Sequence, residues 1–489
     1  MTASARRPLC ALACALLLAS CAIPPKPELP PLRQEAPLAG IATGARGDWP
    51  DPEWWKRHDD PQLTMLEERA LAGAPSLDEA RQRFGTALRA IDVAGAAAGL
   101  SSRANAQVQR QRLSEHGLIP PQFLGFTWYN QGDLSLEFEY DFDFWGRTRA
   151  AVAAAVDESR AAQAERSAAA LMLTTAIADT YFGWQADQAR LALAHESVTA
   201  LARAHMLAEK RVERGIDAPD PAHQADAELA ASRELEAALE GAARIRHAAL
   251  AALLGLAPAE LPALEPRALP EPEVRLPDDV GIDLLARRPD IAASRWRVEA
   301  AMRRVDQARA GFYPDIRLGA LVGLQSIDLD HLLDAGSRMG GIGPALHLPL
   351  FARGQLEAAY GMSQAQLLAA AATYDALVVD AARDVALRAL ELEQVDARRD
   401  ERAHQLGAMQ SLEQAAQARA RRGLGDDRGV LAAHARVLQQ RDALVQLQAQ
   451  AISSGIALTK ALGGGYRMTA PATAAPKAAD PTTEQAASR

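Results

Sequence analysis

Cysteine is nearly missing from this chain of 489 residues: Cys10, Cys14 and Cys21 are its three, and all fall near the N-terminus. No disulfide framework can therefore hold the body together. Among the ten histidines no two stand at ligand spacing beside a carboxylate, so no metal site is expected. A phosphate-cradling loop is absent too, because Gly463-Gly464-Gly465 is not followed by Lys-Ser or Lys-Thr. The expectation is a protein that is not an enzyme, with no catalytic residue, metal or cofactor. There is no basic excess, since 53 Lys and Arg face 62 Asp and Glu for a net charge of −9, and no basic arm to follow a nucleic-acid backbone. Nucleic acid is thereby excluded as a partner. Aromatics are only 5% and alanine dominates the apolar fraction, which favours long, closely packed helices over a bulky core.

What is present begins with Arg6, Arg7 and the apolar run Leu9 to Ala19, a bacterial secretion signal too short to span a membrane. It ends in Leu18-Ala19-Ser20-Cys21, the pattern cut before the cysteine by lipoprotein signal peptidase. Residues 1–20 are then the signal peptide and Cys21 the lipidation site; the plainer alternative is an ordinary signal that happens to contain Cys21. Acyl chains, contributing about 0.8 kcal/mol per buried methylene, would hold the N-terminus at outer-membrane lipid, since no Asp follows Cys21. Residues 21–60 form a proline-rich leader in which Trp49, Trp54 and Trp55 are expected to pack onto the body.

From Pro61 to about Leu100 the pattern is helical, with a break near Gly73 to Pro75. From Arg103 the period falls to two, with Ala104, Ala106 and Val108 opposing Asn105, Gln107, Gln109 and Gln111. A turn-rich stretch from Gly117 to Gly132 leads to a second strand at 134–144. There Leu134, Leu136, Phe138, Tyr140, Phe142 and Phe144 make an apolar wall backed by Ser135, Glu137, Glu139, Asp141 and Asp143. The period changes again near Thr148, and no proline interrupts it before Arg214-Gly215, so a helix of ~65 residues and ~100 Å is expected. A return helix follows from about Ala222 to Leu254, with Leu235, Ala238, Ala242, Ile245, Ala249 and Ala252 on its apolar stripe.

After a proline-rich linker the whole pattern starts again. Gly215 returns as Gly423 and Gly255 as Gly463, each 208 residues later, while Phe144 returns as Phe351 after 207. Ile316 to Leu324 repeats the first strand, 341–350 stands in the place of the second, and Gln355 to Arg422 repeats the long helix. The repeat helix carries the seam Leu367, Ala371, Tyr374, Val378, Ala381 and Val385. Each half thus offers two strands of membrane-crossing length. Four strands cannot close a barrel and an open edge is not tolerated in lipid, so the strands are expected to close by oligomerisation, with two copies or three. With the aromatic face toward lipid, Glu137, Glu139, Asp141 and Asp143 would face a water-filled lumen.

Several motifs, in their order within this duplicated frame, carry a resemblance. The Cys21 lipobox, the Asp48 to Trp55 leader, Phe144-Trp145-Gly146-Arg147, Arg288-Pro289-Asp290-Ile291, Phe312-Tyr313-Pro314-Asp315 and the paired Arg-Gly tips resemble TolC-type outer-membrane efflux channels. The branch most similar is the NodT-type lipoproteins. The resemblance implies a mixed α and transmembrane β fold: a homotrimer whose twelve-stranded β-barrel continues into a periplasmic α-helical barrel. The repeat offsets and composition divide the chain into repeats at 61–257 and 278–465, a proline-rich linker at 258–277 and a tail at 466–489 expected to be disordered. As partners the resemblance implies a periplasmic adaptor and an inner-membrane transporter of the RND type, for which the channel is a passive exit duct for small molecules. It further implies that Gly215, Ile216, Gly423 and Leu424 at the tips meet the adaptor, and that Arg421, Arg422, Asp426 and Asp427 are candidate aperture charges; a helix N-cap by Asp426 or Asp427 is the structural alternative. Two other readings stand beside it, a type I secretion duct for polypeptides and a periplasmic scaffold of coiled helices that needs no strands.

Overall fold

The computed structural model describes residues 23–26, 28–38, 47–97, 99–116, 120–271, 275–277, 280–349 and 351–468. Cys21 and the tail beyond 468 lie outside the described residues. In chain order the main elements are α1 Pro61–Gly73, α2 Pro75–Ala96, β1 Leu100–Arg112, β2 Trp128–Asp141, α3 Arg147–Glu213, α4 Asp220–Leu253, α5 Val280–Arg287, α6 Pro289–Ala310, β3 Asp315–Ser326, β4 Arg338–His347, α7 Arg353–Arg421 and α8 Asp427–Ala461. The duplicated order is therefore present, and its long helices run to 67 and 69 residues. Two compact units each draw on both halves of the sequence: Met1–Leu32, Arg83–Ala162 and Ser294–Tyr374 form one, and Arg33–Gln82, Gln163–Ala293 and Asp375–Arg489 the other.

The first unit contains a four-stranded antiparallel sheet in the order β1-β2-β3-β4. Both expected hairpins form, and β2 also pairs with β3 so that Leu136 lies opposite Ala104 on one side and Val322 on the other. Alternation then decides the faces. Ala104, Val108, Leu134, Leu136, Phe138, Val322 and Ile342 share one face, and it is open: Val108 is 66% exposed and Ile342 76%. The second strand differs from expectation at both ends, since it starts at Trp128 inside the stretch expected to be a loop and stops at Asp141. Its early start follows from continuous pairing of Trp128 to Gly132 with Val108 to Arg112, which supplies partners for backbone groups that a loop would leave to water. Asp143 and Phe144 therefore lie beyond the strand.

The second unit is helical. Trp54 and Trp55 are buried at 3% exposure against Leu63, Leu66 and Ala70 of α1, Tyr181 of α3 and Ile452 of α8, so the leader does pack onto the body. Asp60 accepts backbone N–H bonds from Gln62 and Leu63 to cap α1, and the Tyr181 hydroxyl donates to its second oxygen at 2.7 Å. Gln185 Nε2 donates to that Tyr181 oxygen, and Gln185 Oε1 accepts from the backbone N–H of Arg267 in the linker. Leader, long helix and linker are thus joined by a satisfied buried network.

On α7 the expected seam from Leu367 to Val385 is buried throughout. On α4 the expected stripe is not: Leu235 and Ile245 are exposed, and Leu229, Ser232, Leu239, Ala243, Leu250 and Ala251 are buried instead. An alanine-rich helix satisfies a three-four spacing on more than one face, and burial of the large Leu229, Leu239 and Leu250 decides between them. Pro219 and Pro221 sit at the N-cap and in the first turn of α4, where a missing N–H costs nothing.

The Arg288-Pro289-Asp290 motif has a structural use. Arg288 grips Asp290 through two nitrogens at 3.1 and 2.7 Å and donates to the Ala461 carbonyl at 3.0 Å, tying the start of α6 to the end of α8. Removing it would strip the half-buried Asp290 carboxylate of its cation, leaving it the Ile291 N–H at 2.9 Å, and would take the side-chain donor from a helix-terminal carbonyl.

Candidate functional sites

In the first unit, β2 and β3 place the acidic side chains on the face opposite the apolar one. Glu137 accepts from Asn105 Nδ2 at 3.2 Å and stands opposite Arg103 in the register. Arg317 of β3 reaches Glu139 at 2.8 Å, Asp141 at 3.0 Å and Asp315 at 2.7 Å. That face carries Asp133, Glu137, Glu139, Asp141 and Asp315 against Arg103 and Arg317, so its acidity is partly neutralised. Sequence reasoning missed Arg317; its position opposite Asp141 could be found only with the β2–β3 register known.

Asp143 does something else. Gly146 has φ +77° and turns the chain into α3, whose first N–H groups need acceptors. Asp143 supplies them, accepting from the backbone of Thr148 at 3.2 Å and Arg149 at 2.9 Å. The aromatic motifs meet at the same junction: Trp145 stacks on Tyr313 at 4.4 Å and its Nε1 donates to the Pro314 carbonyl at 2.8 Å. Phe142, Phe144 and Phe351 around it are exposed.

In the second unit the two hairpin tips are built alike. Gly215 has φ +69° and Gly423 +70°. The Gly215 N–H donates to Val212 and that of Ile216 to Arg211; Gly423 donates to Ala420 and Leu424 to Arg419. Both are the paired closing bonds that satisfy the last carbonyls of a helix, and only glycine adopts the required left-handed conformation cheaply. Ile216 and Leu424 are left exposed at 56% and 73%.

Around the tips lies a chain of charges. Arg211 grips Asp217 at 2.8 and 2.9 Å, and Arg428 donates to Asp217 at 2.9 Å and to Asp426 at 2.9 Å. Asp426 is also the N-cap of α8, accepting from the Gly429 N–H at 3.0 Å. The bonds from Arg211, foremost, and Arg428 hold the Asp217 carboxyl below its ordinary range, and the Gly429 bond does the same for Asp426. Arg421, Arg422 and Asp427 are exposed. Of the four candidate aperture charges only Asp426 joins this cluster. Arg211, Asp217 and Arg428 were missed, although an Arg and an Asp on either side of a helix-ending glycine is a signal that could have found them.

Farther along the same helices, His434 of α8 stands between two carboxylates, 2.9 Å from Glu413 of α7 and 3.1 Å from Glu196 of α3. His205 is packed at 3.7 and 3.8 Å from Glu209 and Asp226. Among the described residues no group of three His, Cys, Asp or Glu converges as a metal site.

Comparison with known proteins supplies the remaining findings. The sequence model of a family described as outer membrane efflux protein matches residues 66–256 and 282–464. The multidrug resistance outer membrane protein MdtP of Escherichia coli is 34% identical over 464 residues, covering 92% of this chain and 94% of that protein. The multidrug resistance outer membrane protein MdtQ of the same species is 31% identical over 464 residues, covering 92% and 96%. Among solved structures, the outer membrane protein VceC of Vibrio cholerae superposes with a TM-score of 0.74 at 35% identity, covering 85% of this chain and all of that one. The outer-membrane channel OprN gives a TM-score of 0.81 at 26% identity, covering 91% and 99%.

Proposed function

This chain belongs to the outer membrane efflux protein family and is an outer-membrane efflux channel, and on that premise we propose that it works as a homotrimer. The observation that carries the proposal is the sheet. Its outer strands β1 and β4 each have one unpaired edge, and its apolar face is open to solvent in a single chain. Such edges are not tolerated in lipid unless further copies pair them, while an apolar face that water would disfavour is suited to lipid. Three copies give twelve strands, with the apolar face toward lipid and Glu137, Glu139 and Asp141 toward the lumen. A periplasmic scaffold without strands has no use for this sheet. The relatives are named for multidrug resistance, and the cargo proposed here is likewise small toxic molecules rather than polypeptides. The duct itself performs no chemistry and needs no cofactor.

Purified protein in planar bilayers tests the lumen. Five acids against two arginines per chain on that face predict that potassium passes several-fold more readily than chloride. Arg317→Gln should raise the ratio further, because Glu139 and Asp141 lose their shared partner. Chloride preference in the wild type would sink the lumen assignment.

The tips are the proposed meeting point with a periplasmic adaptor, which links the channel to an inner-membrane transporter of the RND type. Exposed Ile216 and Leu424 at two identically built ends, beside a groove of about 710 Å³ lined by Leu201, Ala208, Ala225, Ala432 and Asp426, support that reading. The Asp217–Arg428 pair, which ties one hairpin to the other, is the proposed closure of the aperture. Asp217→Ala should raise resting conductance several-fold and admit large antibiotics such as vancomycin to the periplasm. Conductance equal to wild type would show that this pair does not hold the tips shut.

A further inference from the structure

At the junction where α6 ends and α3 begins, four cations share one concavity. Lys26, Arg149, Arg303 and Arg309 line a pocket of about 470 Å³, together with Phe144, Trp145 and Tyr313 and a single acid, Asp306. Two of the cations are already engaged, Arg149 with Asp143 at 3.3 Å and Arg303 with Asp157 at 3.8 Å. Arg309 uses its Nε to donate to the Pro24 carbonyl at 2.9 Å, and its guanidinium carbon lies 5.9 Å from the Tyr313 ring centre. Lys26 is exposed and makes no ion pair among the described residues. The pocket is thus positive, and the Lys26 ammonium and the terminal nitrogens of Arg309 have no hydrogen-bond partner among the described residues.

Its place in the fold gives that charge a meaning. β2 ends at Asp141 and β3 starts at Asp315, so the lining residues Phe144, Trp145, Arg149, Arg309 and Tyr313 all lie within eight residues of a strand end. Trp145 and Tyr313 are of the amphipathic kind that sits at the headgroup level of a bilayer. We infer that this pocket binds the phosphate of an anionic phospholipid in the leaflet that meets the lower rim of the barrel. Arg309 offers the planar fork that matches phosphate oxygens, Lys26 a mobile point charge, and Trp145 and Phe144 the apolar wall along which the glycerol backbone leads toward the apolar face of the sheet. The inference rests on the outer-membrane reading above. A free phosphate ion shares the headgroup chemistry, but it has no use for the aromatic wall.

Native mass spectrometry of the full-length protein in dodecyl maltoside tests this with three probes: phosphatidylglycerol, phosphatidylethanolamine and inorganic phosphate. Phosphatidylglycerol should be retained at one per chain and at least tenfold more tightly than phosphatidylethanolamine, and millimolar phosphate should not displace it. Lys26→Gln with Arg309→Gln should weaken retention at least tenfold. Lys26→Glu, a change at an exposed side chain, should weaken it as well. Equal retention of the two lipids, or unchanged retention in Lys26→Glu, overturns the inference. Displacement by phosphate at the lipid's own concentration assigns the pocket to the free ion and overturns it too. Conductance of the same preparation reports the channel reading separately, so a conducting protein with no lipid preference sinks this inference alone.

Discussion

Replacing Glu67 by glutamine is expected to make the folded protein about 3 kcal/mol more stable relative to wild type at pH 7, with little difference at pH 4.5. Glu67 lies on α1 between Leu66 and Ala70, is 0% exposed, and neither carboxyl oxygen has a hydrogen-bond partner among the described residues. The indole N–H groups of Trp54 and Trp55, buried in the same unit, are equally unpartnered among the described residues. Burial alone pushes the carboxyl up from 4.5 to about 9, so the folded state keeps a proton that the unfolded chain gives up. The sign follows: stability is fully present below pH 4.5 and is lost as the pH rises toward 9, at about 1.36 kcal/mol per pH unit. Glutamine has the shape of the protonated acid and no proton to lose. Urea unfolding of both proteins at pH 5 and pH 8 isolates the effect as a difference of differences. If that quantity is below about 1 kcal/mol, Glu67 is not held neutral in the core.

Gly463→Ala should be more damaging than a methyl group added at any other described glycine, with a cost of about 4 kcal/mol or more and loss of folded protein from the membrane fraction. Gly463, Gly464 and Gly465 have φ of +91°, +55° and +81°, a run that side chains resist. A Cβ on Gly463 would overlap the Arg287 carbonyl, one on Gly464 the Leu171 side chain, and one on Gly465 the backbone of Asp51 and Pro52. Leader, long helix and the turn between α5 and α6 all close on this one strand of bare backbone. Gly215→Ala is the control, since at φ +69° nothing lies within 4 Å of the added methyl. It should cost only about 1–2 kcal/mol and leave the protein assembled. Equal damage from both would show that strained dihedrals, rather than close approach, govern the buckle.

Much of this architecture was legible because repetition and periodicity are carried by individual residues. Gly215 and Gly423 announced two tips, and alternation from Leu134 to Tyr140 announced a strand with one apolar face. Legibility ended where partners come from distant sequence. The β2–β3 register that brings Arg317 to Glu139 and Asp141 spans 178 residues for the first of these pairs, and no local pattern encodes it. Alanine also hides direction, which is why the stripe through Leu235 and Ile245 looked as apolar as the buried one through Leu239 and Leu250. Asp143 was misplaced for a third reason. Its neighbours continue the strand alternation in sequence, while in space the need of α3 for an N-terminal acceptor takes it.

The two open edges of the sheet also have a genetic consequence. β1 and β4 are different strands, so in the proposed trimer each junction joins unlike edges, head to tail, and a ring forms only when every copy offers both. A chain blocked at one edge could still attach by the other and occupy a place in a ring that never closes. Where blocked and intact chains are made in equal amounts, only about one ring in eight would be free of the blocked form. Damage to either edge strand would then be inherited as a dominant trait, whereas damage to a cargo-facing residue would be diluted by its neighbours.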